Sequence, residues 1–298
     1  MPIPKYKATL IWSSYLATPI FPPTLSPIAF WDIWLTASLA APATAPSSGC
    51  ESPIIPSLCA ATIVLSIIFD TDVESYINIE ADKKAVYEQF AIKADILQAC
   101  GNEEIDSYVF IKNTYNGIKV DTMVLFDTAS LTIDVVDTAI ISNGDVALYM
   151  INLNITADKG IIGNNIELDA TKDEPIVINV KTVGINSETT ISISAIDSFT
   201  INGNGYTTND ALIKCNEIYI YTLTGTIDGF TKGIQAKYVY IDNSELTIKF
   251  GANSIYITGE NEDPSGLEIV GSTVTLTPNA NCNSVIEATG FNVILNSS

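Results

Sequence analysis

The residues best suited to chemistry in this chain are carboxylates and tyrosines. Asp228 and Asp242 sit at equivalent points of two neighbouring alternating runs, with Asp197 and Asp210 just upstream. If those runs stack, two carboxylates held ~5–9 Å apart could cleave a glycosidic bond. Asp also favours turns, because it bonds its own backbone, and that plain reading competes with catalysis. Glu260, Glu262 and Asp263, in the stretch ENED, form a compact acidic loop that could offer oxygen ligands to Ca²⁺. The spacing matches no EF-hand, so a solvated turn is the simpler expectation. Tyr219, Tyr240 and Tyr256 alternate with apolar residues that should point inward. The three rings are therefore expected to face outward as a stacked ladder, able to meet sugar rings or a neighbouring subunit. High strand propensity alone would also explain them.

Composition removes other chemistries. All 14 basic residues are Lys, and His and Arg are absent. Histidine acid–base catalysis, Ser-His-Asp triads, His-ligated metals and guanidinium recognition are thereby excluded. A net charge of −20 repels a phosphate backbone, so no nucleic-acid partner is expected. No cofactor is expected either. With few Lys and no Arg or His, the positive charge left in acid is modest, which suits an extracellular protein in acidic water and equally an ordinary acidic secreted one. The five cysteines are an odd number without a C-x-x-C pair, so no disulfide framework or zinc site is implied, although Cys50 and Cys59 could bridge. Cys215 reads as a small buried residue, and Lys232 as a turn lysine. Asn154-Ile-Thr and Asn296-Ser-Ser are glycosylation sequons.

Three regions must position these residues. Residues 1–72 are apolar and contain all three tryptophans, Trp12, Trp31 and Trp34, with ten of the thirteen prolines. The opening stretch has Lys before an apolar run, as a signal peptide does, and is expected to be retained. Its apolar runs are shorter than the ~18–20 residues a spanning helix needs, so no transmembrane span is expected. Exposed apolar surface of this extent suggests an assembly arm whose tryptophans lie at an interface, the alternative being ordinary core strands. Residues 73–128 read as a small α/β cap with one helix at about 82–100, capped by Asp82 and stopped by Gly101, with Val86, Phe90, Ala91 and Leu97 at helical spacing.

From 129 to 298 the chain is short alternating runs separated by Asn, Gly, Asp and Ser. A form of small residue, two spacers, apolar, any, apolar recurs at Cys215, Ala236, Ala252, Gly271 and Gly290, at intervals of 21, 16, 19 and 19, and fits Gly163 as well. Read as one coil per repeat, the pairs Ile218/Ile220, Val239/Ile241, Ile255/Ile257 and Val274/Leu276 would stack into one core. A β-sandwich is the competing architecture. The fold class expected is therefore mainly β: a C-terminal parallel β-helix, an N-terminal apolar β-rich arm and one capping α-helix.

The stretch GFTKGIQAKYVYIDNSELTI (229–248) resembles a coil of the pectin-lyase-like right-handed parallel β-helix superfamily, over about residues 129–298. That superfamily contains polysaccharide lyases and hydrolases, phage tailspikes and adhesins, so the resemblance speaks to architecture more than activity. Its hydrolases use clustered Asp, often with His and Arg nearby, and its lyases usually need Ca²⁺ with Arg, which this chain lacks. By analogy with tailspikes, the resemblance implies a non-enzymatic structural or adhesive surface protein. A virion spike, turret or tail component fits, anchored by its arm and placed on a virion or other extracellular surface. Expected partners are copies of itself, a trimer being one form, and other particle proteins, with glycans as a further option. A glycan-active hydrolase or a glycan-binding module is the alternative.

Overall fold

The computed structural model describes residues 6–12, 75–81, 90–100, 107–170, 175–206, 208–258, 266–279, 282, 284–288 and 292–296. Three strands explain the rest of the architecture: Lys232–Ala236, Tyr238–Asp242 and Glu245–Phe250. Each pairs in parallel with a segment 21 positions earlier, Ile234 with Ile213, Val239 with Ile218 and Ile248 with Ile227. The stretch GFTKGIQAKYVYIDNSELTI is thus one coil with three sides. Successive coils stack into a parallel β-solenoid with three sheet faces, called A, B and C after the order of these strands.

Inward positions build the core column by column. On face A, Ile92, Ile118, Ile140, Ile161, Ile185, Ile213, Ile234, Ile255 and Ile286 are consecutive register partners. On face B the partners Leu97, Val124, Val146, Ile166, Ile191, Ile218, Val239 and Leu267 are all buried. On face C, Ile111, Ile133, Ile155, Ile178, Ile201, Ile227 and Ile248 do the same. Period-two alternation creates these columns, and β-branched side chains fit the pleated surface on which they stack. Each buried isoleucine contributes about 1.5–3 kcal/mol relative to exposure.

The corners need special backbone. Between faces B and C the chain passes through a left-handed residue at Thr128, Ala195, Thr222, Asn243 and Gly271, with φ from 47° to 53°. Asn243 and Gly271 tolerate this region well, while Thr128 and Thr222 are held there by the ladders on either side. At the same corner, Ser244 Oγ donates to Asp242 O at 2.8 Å and accepts the Leu223 N–H of the preceding coil at 3.0 Å. Between faces C and A, Gly229 adopts φ +118°, and a Cβ there would lie 2.8 Å from Gly203 Cα. Only glycine lets these two coils approach so closely.

Three expectations need correction. Residues Phe90–Cys100 are a strand and not the end of a helix, and no helix occurs among the described residues. The register with Asn116–Val135 shifts between Ala94 and Ile96. Ile92 and Ala94 are buried before the shift, Leu97 and Ala99 after it. Two period-two runs joined out of phase imitate helical spacing. Asp82, Val86 and Gly101 lie outside the described residues. Second, the parallel ladder reaches upstream of residue 129, through Phe90–Cys100 on faces A and B and through Ser75–Ala81 on face C. Third, the recurring motif marks a side of the coil and not a whole coil. Ile218/Ile220 and Val239/Ile241 stack on face B, but Ile255/Ile257 belong to face A and Val274/Leu276 to face C. All three sides alternate alike, and small residues recur at the corners between them, so local pattern does not distinguish them.

At the N-terminus, Tyr6–Trp12 pairs antiparallel with Ser75–Ala81, Trp12 opposite Ser75. Trp31 and Trp34 lie outside the described residues. No helix among the described residues is long and apolar enough to cross a membrane.

Candidate interaction face

Charge is sorted by face. The face B strands carry Asp127, Asp145, Glu167, Asp169, Glu217, Asp242 and Glu268, and no lysine. The face A strands carry Lys93, Lys119, Lys159, Lys214 and Lys232, with Glu287 as the one acid in their paired register among the described residues and Asp95 and Asp121 where two of these strands leave the face. The lysines lean on local partners: Lys159 meets Asp137 at 3.0 Å and Lys214 meets Asp210 at 3.5 Å. Lys232 lies 4.3 Å from the centre of the Tyr256 ring, a cation–π contact.

Face B carboxylates are instead served by neutral donors. Tyr149 donates to Glu167 at 2.8 Å, Tyr219 to Glu217 at 2.9 Å, Tyr238 to Glu268 at 3.1 Å, and Asn165 to Asp145 at 2.7 Å. Asp169 has Ser194 and the Ala170 N–H beside its carboxyl, its Oδ1 is shut off from solvent, and burial raises its pKa above the usual carboxylate value. The tyrosines respond in kind. The Tyr149 hydroxyl is pushed up to about 12, first by its hydrogen bond to Glu167. Tyr219 and Tyr238 reach about 12 through burial first, then through their carboxylate partners.

The aromatic part of this face is a four-ring cluster. Tyr219 pairs in register with Tyr240, and their ring centres are 6.4 Å apart. Tyr221 lies 5.6 Å from Tyr240 and 6.3 Å from Tyr219, and Tyr238 lies 5.9 Å from Tyr219. All four point outward between inward-facing Ile218, Ile220, Val239 and Ile241. Tyr219 and Tyr240 come together, tilted by 46° and not stacked as the ladder required, and Tyr256 does not join them: it pairs with Gln235 on face A. Tyr221 and Tyr238 take its place. Their signal was present, because Glu217, Tyr219 and Tyr221 recur 21 positions on as Tyr238, Tyr240 and Asp242.

The other candidates separate. Asp228 ends a face C strand and Asp242 a face B strand, so they are not a facing pair. Asp228 accepts from Tyr206 at 2.7 Å and pairs with Lys249 at 2.9 Å, which fills its oxygens with structural partners. Glu260, Glu262 and Asp263 lie outside the described residues, and among the described residues no group of three or more metal-binding side chains gathers. Cys215 is buried, its thiol pushed up to about 12 by that burial, as a small core residue should be. Asn154 points outward from face C and is exposed.

The class that these observations define is a three-faced parallel β-solenoid with one acidic, tyrosine-bearing face. No family model, curated protein or solved structure matches the chain.

Proposed function

We propose that this protein is a non-enzymatic structural or adhesive surface component, belonging to a virion spike, turret or tail, with residues 1–72 as its assembly arm. The observation that carries this reading is the core: unbroken ladders on all three sides give a stiff stack of coils, suited to projecting from a particle. A parallel β-solenoid is consistent with membership of the pectin-lyase-like superfamily, tailspikes included. Separation of Asp228 from Asp242 and engagement of Asp228 by Lys249 favour a scaffold over a glycan hydrolase. An extracellular setting in acidic water goes with this reading, since the ion pairs among the described residues are partly exposed and depend little on buried charge.

Quantifying the protein in purified particles or envelopes tests this. Stoichiometric incorporation supports the reading, with the full-length chain oligomeric and a form lacking residues 1–60 monomeric. Recovery solely as a free soluble monomer contradicts it. Release of reducing ends from a polysaccharide would favour the enzyme instead, if Asp228→Asn or Asp242→Asn abolished it.

A further inference from the structure

We infer that face B is a docking surface for a cationic polypeptide, whose lysine or arginine side chains seat on the cluster of Tyr219, Tyr221, Tyr238 and Tyr240. Two independent observations meet there. The first is the sorting of charge: among the described residues this sheet face alone has no basic residue on its strands, Lys237 standing at the corner before Tyr238, although face A, one corner away, has five. The second is the aromatic cluster, which lies where the carboxylates converge, between Glu217 on one coil and Glu268 two coils on.

The chemistry of each part points to a cation. A tyrosine ring attracts an ammonium or guanidinium group over its face, and a carboxylate beside the ring completes the site. The hydroxyls of Tyr219 and Tyr238 are already committed to Glu217 and Glu268, which holds the rings in place. Tyr221 is the most open of the four, 36% exposed. A second copy of this chain is the weaker occupant, since both copies carry −20 and the face A lysines lean on partners of their own. A neutral glycan would use the rings and could donate hydroxyls to the carboxylates, but it gains no charge attraction from the seven of them. The inference is independent of whether the protein is particle-borne.

Titration of the full-length protein with a ten-residue lysine peptide, at low and at physiological salt, tests it. Tyr221→Ala/Tyr240→Ala should weaken binding by roughly tenfold, the loss of about two exposed cation–π contacts. Asp134→Asn/Glu245→Gln, which removes two exposed carboxylates from face C, should leave binding within about twofold. Unchanged far-ultraviolet circular dichroism and thermal midpoint certify folding. If the tyrosine variant fails to fold, Glu217→Gln/Glu268→Gln is read in the same way. Equal losses from the face B and face C variants would mean diffuse attraction and overturn the assignment. So would wild-type binding by the face B variants. A neutral hexasaccharide that binds and is lost with the tyrosines while the peptide is not would give the face to glycans. A change of oligomeric state in Tyr221→Ala/Tyr240→Ala would give it to a second copy.

Discussion

Replacing Ile234 with Ala isolates the contribution of one rung to the solenoid. Ile234 is fully buried between Ile213 and Ile255 on face A. The change deletes three carbon groups, a transfer loss of about 2.4 kcal/mol at ~0.8 kcal/mol each. Rungs above and below hold the backbone, so the site collapses little, and the cavity raises the cost into the upper part of the ~2–5 kcal/mol range. Ile286 occupies the same column at its last described rung and is only partly buried. Ile286→Ala should cost about 1 kcal/mol, because half-exposed atoms lose less and leave no closed void. Guanidinium unfolding followed by circular dichroism gives both midpoints. Stacked coils can unfold in steps, so the transition nearest the affected coil is the one to compare. Equal costs at the two positions, or a cost below about 0.5 kcal/mol at Ile234, would refute the ladder as the source of stability.

At the corner, Asn243→Gly should be neutral or mildly stabilising, whereas Asn243→Val should cost about 1–2 kcal/mol, since φ is 47° there; thermal midpoints decide. In alkali, Tyr149, Tyr206, Tyr219 and Tyr238 have folded-state values of about 12 against an ordinary 10.0. A raised value means that their contribution is fully present below pH 10 and is lost as pH rises toward 12. Stability should therefore fall across that window together with phenolate absorbance, and a flat profile would count against the Tyr–carboxylate bonds. In acid the protein should stay folded to about pH 3. Its described Lys–Asp pairs are half-exposed and contribute about 0–1 kcal/mol each, and protonation relieves the burial of Asp169. Loss of β-sheet circular dichroism above pH 4 would contradict this.

The inward pairs and the small corner residues were legible in the sequence because period two and tight bends leave local marks. Which side of the coil each run occupies was not. Ile255/Ile257 follows Val239/Ile241 after only 16 residues, and nothing local says that this step runs past face C and lands on face A. That ambiguity placed Tyr256 with Tyr219 and Tyr240, and hid Tyr221 and Tyr238. The phase slip at Ala94–Ile96 made a strand look helical, because a bulge breaks alternation in the same way that a 3.6-residue period does. Charge sorting needs register: Glu167, Glu217 and Glu268 look scattered along the chain until parallel pairing lines up their strands on one face.

Cross-linking in register tests the central claim most directly. Thr226 and Thr247 are partners on adjacent coils of face C, and Thr275 is one coil further. Adjacent strands lie ~4.8 Å apart, within disulfide reach, while two steps of ~9.6 Å are beyond it. With the five native cysteines replaced, Thr226→Cys/Thr247→Cys should oxidise to an intramolecular disulfide without loss of fold, and Thr226→Cys/Thr275→Cys should not. Ready oxidation of the second pair, or failure of the first in the folded protein, would contradict the three-faced parallel solenoid.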